Sequence, residues 1–403
     1  MDFELLKPLL KTGMKTKIVL LILDGLGGLA MTPGGKTELE TAVKPNLNAL
    51  AERSILGLQQ PLLPGMTPGS GPAHIGLFGY DPIKYSIGRG VLSALGVDFD
   101  LQPDDVSARG NFCTVDAEDI ITDRRAGRIA TEVGGELCKL LSAKVNIPGV
   151  EVILTPEKEY RFVFVLRGKG LHGDVSDTDP QSVGRKSLTP TAMVPDAQRT
   201  AEIIQSFVEQ AKEILKDQHP ANSLVLRGFS QLPKWPTFGE AFGLNPLAIA
   251  MYPMYRGVAK LVGMTVMPAA QSMEEEIDML EANWEQYDFF FVHIKKTDSA
   301  GEDGNFDLKV SIIEHVDTLI PRIMALKPDV LIVTGDHSTP ALLRSHSWHP
   351  VPTMIYSEVC RADGIAEYGE RSCRAGSLGP NFPSYELMPM ALANAGRIEK
   401  FGA

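Results

Sequence analysis

Ser70 stands at the centre of Met66–Tyr80, MTPGSGPAHIGLFGY, where a hydroxyl could serve as a nucleophile. Proline and the flanking glycines hold this loop out of regular structure, and the run Ala73–Phe78 reads as the start of a helix. A helix N-terminus there would favour an anion. Taken alone, G-S-G is an ordinary surface turn. A second set of residues gives it chemistry. Asp24, Asp298 and Asp336 each follow an apolar run within about four residues, His337 adjoins Asp336, Glu302 comes four after Asp298, and His346 nine after His337. Asp, Glu and His without cysteine describe a hard or borderline divalent metal site, such as one for Mn2+ or Zn2+. Six donors exceed the needs of one tetrahedral ion, so two ions are expected. Two ions roughly 3.5–4 Å apart can clamp the attacking and leaving oxygens of a phosphoryl transfer. Ser70 then becomes the nucleophile, with a metal lowering its pKa, since no other activating base is evident. A Ser–His–Asp hydrolase fits less well, because P-G-S-G-P is a poor match to the G-x-S-x-G elbow.

These donors need a sheet to bring them together. Lys17–Leu23 (KIVLLIL), Phe289–Ile294 (FFFVHI) and Val330–Val333 (VLIV) are continuous apolar runs, the mark of strands buried on both faces. Thr353–Tyr356 is an expected fourth strand. Helical spacing of apolar residues marks Pro45–Ile55, Leu308–Leu326 and Glu386–Ala395. Strand, loop, helix is the grammar of an α/β unit, whose ligands bind beyond the carboxyl ends of the strands. If the three runs are parallel neighbours, their aspartates converge.

From about Val97 to Leu244 the pattern shifts to shorter strands and turns, with one amphipathic helix at Gln198–Lys216. Arginines recur beside turns: Arg109, Arg124 and Arg125, and then Arg167 and Arg227, each ending an apolar strand in Arg-Gly. The guanidinium fork suits phosphate and carboxylate. Together, in an acidic chain, they suggest a second domain that grips an anionic substrate.

Two domains are also the natural expectation for 403 residues. A net charge of −11 argues against binding nucleic acid through bulk electrostatics. The four cysteines, Cys113, Cys138, Cys360 and Cys373, form no C-x-x-C pair, so neither a zinc knuckle nor a disulfide framework is indicated, and a reduced, cytoplasmic setting is expected. The N-terminal MDFELLKPLLKTGMKTK lacks the order of a secretory signal and reads as a short helical extension. No run has the 18 or so apolar residues of a membrane span, so no membrane partner is expected. A homo-oligomer is compatible with the sequence.

LDGLGG at 23–28, MTPGSGPAHIGLFGYDP at 66–82, YSIGRGVLSALG at 85–96, VSDTDP at 175–180, HIKKTDSAGEDG at 293–304 and TGDHSTP at 334–340 form an ordered set that spans nearly the whole chain. It resembles the archaeal-type cofactor-independent (2,3-bisphosphoglycerate-independent) phosphoglycerate mutases of the alkaline phosphatase superfamily. The resemblance implies an α/β fold: a three-layer α/β/α phosphatase-like domain from residues 1–96 and 245–403, and a smaller α+β substrate-binding domain inserted at 97–244. It implies interconversion of 3-phosphoglycerate and 2-phosphoglycerate, a step of glycolysis and gluconeogenesis, through a phosphoserine. Two divalent metals would take part, Mn2+ first and Zn2+, Co2+ or Mg2+ as substitutes, with no added 2,3-bisphosphoglycerate. A phosphatase, or a phosphotransferase acting on another small hydroxy acid such as homoserine, is the alternative and would keep the same metal ligands.

Carried over residue by residue, the resemblance puts Ser70 with Asp24, Asp336 and His337 on one metal. The other metal would take Asp298, His346 and the residue four after Asp298. Better-known members have histidine at that last position, where this chain has Glu302, a competent oxygen ligand with Asp303 as its alternative. In HSWHPVP the spacing to PVP favours His346 over His349. Asp123, Arg124 and Arg125 look like the phosphate-contacting acid and arginines, with Arg167 and Arg227 as further substrate contacts. His172 is the candidate acid/base, and closure of the inserted domain would keep water from the phosphoserine. His74, four after Ser70, would support it, and Lys260 or Arg256 would neutralise phosphate from the hinge side.

Overall fold

The computed structural model describes residues 3–11 and 13–402. Met1, Asp2 and Thr12 of the expected N-terminal extension, and Ala403, lie outside the described residues. The chain forms two compact units: the first runs to Ser86 and resumes at Trp235, and the second is Ile87–Lys234.

The first unit is built on an eight-stranded sheet whose central strand, Ile18–Leu23, is flanked by parallel strands Phe289–Ile294 and Val330–Thr334. All three are fully buried, as their unbroken apolar runs require. Their register pairs Leu23 with Ile294 and Ile22 with Thr334, so the three carboxyl ends finish at one level. The Asp24 N–H carries the ladder one step further, donating to the Ile294 carbonyl at 2.9 Å. Pro246–Ala250 extends the parallel half of the sheet. Val351–Tyr356 pairs antiparallel with both Val330–Thr334 and Ser54–Gln60.

Helices cover both faces. Residues of Phe306–Ala325, Met273–Ala282 and Pro45–Ala51 share one core with Val19, Leu21, Leu23, Val292 and Val333. On the opposite face Phe291 packs against Phe78, and Phe289 against Phe238 of the helix Phe238–Phe242. The architecture is three-layer α/β/α. The helix expected over Pro45–Ile55 stops at Ala51, and Ile55 belongs to the strand Ser54–Gln60. Among the described residues, no helix is long and apolar enough to cross a membrane.

The second unit is α+β. Val106–Val115 pairs antiparallel with Arg161–Arg167, Ser223–Ser230 and Ile121–Asp123, and Glu151–Lys158 pairs with Arg161–Arg167. Val106, Ala108 and Phe112 share a core with Leu137 and Leu141 of the helix Thr131–Lys144 and with Ile204 and Phe207 of Gln198–Leu215. The boundaries fall at 86/87 and 234/235 rather than at the expected 96/97 and 244/245. The reason is packing. The helix Arg89–Gly96 lies on Val106–Val115 so closely that a Cβ on Gly90 would come within 2.0 Å of the Ser107 carbonyl oxygen. At the other end, Phe238 and Phe242 pack within the first unit.

Candidate active site

At the level where the three strands end, Asp24, Asp298, Asp336 and His337 meet, all buried. His337 is the hub. Its Nε2 lies 3.4 Å from Asp24 Oδ1, 3.1 Å from Asp336 Oδ2 and 3.4 Å from Ser70 Oγ. Its Nδ1 is 3.0 Å from Thr339 Oγ1, whose hydroxyl donates to Asp298 Oδ1 at 2.6 Å. Thr339 therefore fixes the ring with Nε2 toward the acids and Ser70.

Ser70 opens the helix Ser70–Leu77, capped by Gly69, so its position on the first turn is set by the loop-to-helix junction. His74, one turn on and buried, places Nδ1 2.8 Å from the Ser70 carbonyl oxygen and 3.4 Å from Asp336 Oδ2. It thus ties the serine-bearing turn to the ligand cluster. Asp336 Oδ1 accepts from the Gly25 N–H at 3.0 Å. Gly25 has φ +63°, and a Cβ there would come within 2.5 Å of Thr339 Oγ1 and 2.8 Å of Asp298 Oδ1, so only glycine fits.

His346 stacks on His337 at 3.6 Å between ring centres. Its Nδ1 lies 3.0 Å from the Pro68 carbonyl oxygen, which leaves Nε2 facing Asp298 Oδ1 at 3.6 Å and Glu302 Oε1 at 3.8 Å. Asp303 turns elsewhere and lines a separate surface concavity with Met273, Lys296 and His315. His349 Nδ1 is occupied at 3.0 Å by the Ser347 hydroxyl.

Burial and close charges shift the titration of the whole cluster. Burial, with Asp336 beside it, pushes the Asp24 carboxyl well above its usual range. Burial would also raise Asp336, but His337 and His74 overcome this and hold it well below. Burial alone would lower His337, yet Asp336 and Asp24 lift it to about 9. Asp298 is likewise lowered, Lys295 and His337 outweighing burial. Asp24 Oδ1 and Asp336 Oδ2 are buried facing imidazole nitrogens, and Asp24 Oδ2 has the Lys295 ammonium 3.1 Å away. Buried carboxylates are costly unless a cation serves them. Two donor groups meet the spacing for an ion, Asp24–Asp336–His337 and Asp298–His337–His346. With His337 Nε2 directed at the first group, Glu302, 3.8 Å from His346 Nε2, is a further acid beside the second. The donor set fits two divalent ions, with Ser70 beside the first.

Several contributors gave no clear signal in the sequence. Lys295 Nζ lies 3.1 Å from Asp24 Oδ2 and 2.5 Å from Asp298 Oδ2, and donates to the Tyr255 hydroxyl at 3.1 Å. His293, fully buried, stacks on Tyr255 at 3.9 Å, with Nε2 3.5 Å from Asp24 Oδ2. Burial holds its pKa well below the usual value. A histidine inside FFFVHI was the available hint. Lys309, fully buried, donates to the carbonyls of Gly25, Gly27 and Thr339 at 2.8, 3.1 and 2.9 Å and so laces together the loops bearing Asp24 and His337. Lys260 is exposed in the last turn of the helix Pro253–Leu261, whereas Tyr255 of that helix reaches the cluster.

In the second unit Arg109, Asn111, Arg124, Arg125, Arg161 and Arg227 line a cavity of about 130 Å³. Arg109 and Asn111 alternate with the core residues of their strand, which turns them to the sheet's other face. Burial pulls Arg109 below its usual range against the attraction of Glu157. Arg124 forks onto Asp179 at 2.6 and 3.3 Å. Two other residues expected at substrate are engaged elsewhere. Arg167 forks onto Asp105 at 2.9 and 2.7 Å, and Asp123 spends both oxygens on the N–H groups of Arg125 and Gly127 in its own turn. His172, on a loop, lies beside Asp174 at 3.7 Å.

Residues 51–222 match the family model described as 2,3-bisphosphoglycerate-independent phosphoglycerate mutase. A Thermus thermophilus protein named "Probable 2,3-bisphosphoglycerate-independent phosphoglycerate mutase" is 50% identical over 392 residues, covering 96% of either chain. An Aquifex aeolicus protein of the same name is 49% identical over 397 residues, 96% of this chain and 97% of that one. Among solved structures, a Pyrococcus horikoshii protein is 30% identical with a TM-score of 0.78, covering 97% of this chain and all of the other. A Thermoplasma acidophilum cofactor-independent phosphoglycerate mutase is 29% identical with a TM-score of 0.74, covering 94% of this chain and 100% of its own.

Proposed function

Since the chain belongs to the 2,3-bisphosphoglycerate-independent phosphoglycerate mutase family, we propose that it interconverts 3-phosphoglycerate and 2-phosphoglycerate, with Ser70 carrying the phosphoryl group between the two positions. The observation that supports this most is the placement of Ser70 Oγ 3.4 Å from His337 Nε2, within a cluster of three buried carboxylates.

Asp24, Asp336 and His337 would hold one divalent ion, and Asp298, His346 and Glu302 the other, Mn2+ being the first choice for oxygen and imidazole donors. When bound, the ions would neutralise charge on the transferred phosphoryl group and ease ionisation of the serine hydroxyl. Ser70 Oγ attacks phosphorus as the bond to the glycerate oxygen breaks, giving phosphoserine and glycerate. The departing oxygen needs a proton, for which His172 is the proposed source. The other glycerate hydroxyl, giving its proton to a base, then takes the phosphoryl group back and regenerates Ser70. His74 holds the first turn beneath Ser70 throughout by its contact with the Ser70 carbonyl. The arginine-lined cavity of the second unit supplies the anion grip, with Arg124, Arg125 and Arg227 as its proposed substrate contacts. The step would serve glycolysis and gluconeogenesis in the cytoplasm.

Purified protein with Mn2+ and 3-phosphoglycerate, coupled to enolase, is expected to turn over without added 2,3-bisphosphoglycerate and to stop on addition of EDTA. Phosphate release in place of phosphoenolpyruvate would convert the reading to a phosphatase. Turnover that survives exhaustive chelation would remove the metal centre from it.

A further inference from the structure

Lys295 follows the strand Phe289–Ile294 and sets an ammonium between the two candidate metal groups. Its Nζ touches Asp24 Oδ2 at 3.1 Å and Asp298 Oδ2 at 2.5 Å, and these acids belong to different groups. In both acids the other oxygen faces the histidines: Asp24 Oδ1 lies 3.4 Å from His337 Nε2, and Asp298 Oδ1 3.6 Å from His346 Nε2. The ammonium is held from a further side by the Tyr255 hydroxyl at 3.1 Å, with the rings of Tyr252 and Tyr255 at 5.7 and 5.5 Å. The side chain is mostly buried, at 21% exposure.

We propose that Lys295 is a resident counter-ion of the metal centre, holding Asp24 and Asp298 in place when no metal is bound and lowering the affinity of the centre for divalent ions. The proposal rests on the metal-binding reading above. Buried carboxylates with no cation beside them are costly, so a fixed ammonium lets the metal-free chain keep its fold. The same positive charge repels any divalent ion that takes those carboxylates. By engaging Oδ2 of each acid it turns Oδ1 toward the histidines, Asp24 Oδ1 facing His337 and Asp298 Oδ1, which also accepts the Thr339 hydroxyl, facing His346. The result is a centre assembled before metal arrives and able to exchange it.

The test compares wild type, Lys295→Met and Lys295→Arg by thermal unfolding of metal-stripped protein and by Mn2+ binding, read from the electron paramagnetic resonance of the free ion. Lys295→Met is expected to lower the metal-free Tm and to tighten Mn2+ binding roughly tenfold or more. Lys295→Arg, which keeps the charge, is expected to stay near wild type in both. Should the methionine variant not fold, Lys295→Gln keeps a donor to the carboxylates without the charge and is expected to tighten binding in the same direction. Unchanged or weaker Mn2+ binding in the neutral variant overturns the counter-ion role and leaves the metal centre standing. Wild-type protein that takes up no Mn2+ overturns the metal centre itself, and the counter-ion with it.

Discussion

Ser70 Oγ and His337 Nε2 lie 3.4 Å apart although 267 residues separate them in the chain. The in-register ends of the central strands and the helix opened by Ser70 bring a loop serine to an imidazole that already faces the carboxylates of Asp24 and Asp336. If that hydroxyl carries the phosphoryl group, Ser70→Ala removes the acceptor and leaves a good helix-forming residue in its place. Turnover is expected to fall on the order of 10³-fold or more, as when a nucleophile is deleted elsewhere, with the unfolding temperature nearly unchanged. Labelled substrate should phosphorylate wild type and not the variant; a variant with ordinary turnover would end the proposal for Ser70.

The convergence of the candidate ligands was legible in the sequence because continuous apolar runs report strands buried on both faces, and such strands align their carboxyl ends. Asp24, Asp298, Asp336 and His337 follow from that alone. Lys295 did not stand out, because a lysine next to another lysine after a strand reads as solvated charge. Tyr255 comes from a helix 40 residues earlier, a distance no local pattern spans. The strand Ser54–Gln60 was masked because Ile55 continues the helical spacing of Leu47, Leu50 and Ala51. Arg167 had the same Arg-Gly setting as Arg227, and only the fold shows that Asp105 already holds its fork.

Glu302 and Asp303 are neighbours in sequence and face different surroundings, Glu302 toward His346 and Asp303 toward Lys296 and His315. Glu302→Ala is expected to weaken binding of one of two Mn2+ ions about tenfold, since its side chain is half-exposed. Asp303→Ala should leave both ions in place. Calorimetric titration of the two variants decides between them, and an effect confined to Asp303→Ala would reassign the ligand.

Thr339 belongs to neither candidate metal group yet holds a candidate ligand from each, donating to Asp298 at 2.6 Å and facing His337 Nδ1 at 3.0 Å. Thr339→Val keeps the shape and removes the hydroxyl. Outer partners of this kind typically govern metal affinity by about 10–100-fold, and a loss in that range is expected in Mn2+ titrations. Wild-type affinity in the valine variant would mean that packing alone orients His337.

Lys309 serves three carbonyls from full burial, with Glu38 4.0 Å away. Lys309→Met would strand those acceptors and leave Glu38 without its nearest cation, a change expected to cost about 3–5 kcal/mol in urea unfolding. Because the carbonyls belong to the loops bearing Asp24 and His337, Mn2+ affinity should fall in the same variant. Loss of stability with metal affinity intact would separate the lacing from the centre.

Glu276 lies buried on the helix Met273–Ala282, where burial pushes its carboxyl from 4.5 to about 9 against weaker pulls from the Met251 backbone and Lys296. Between those two values the folded protein keeps a proton that the unfolded chain has released. Its contribution to stability is therefore fully present at low pH and declines as pH rises through that window, by about 1.4 kcal/mol per pH unit. Glu276→Gln carries no such proton and keeps nearly the same shape. Urea unfolding in EDTA at pH 6 and pH 8 should show the variant gaining on wild type by roughly 2–3 kcal/mol across that interval. Using EDTA removes the metal's own pH dependence from both proteins. If the wild-type and variant profiles run parallel between the two pH values, Glu276 is ionised in the folded chain and its burial must be met by a partner cation.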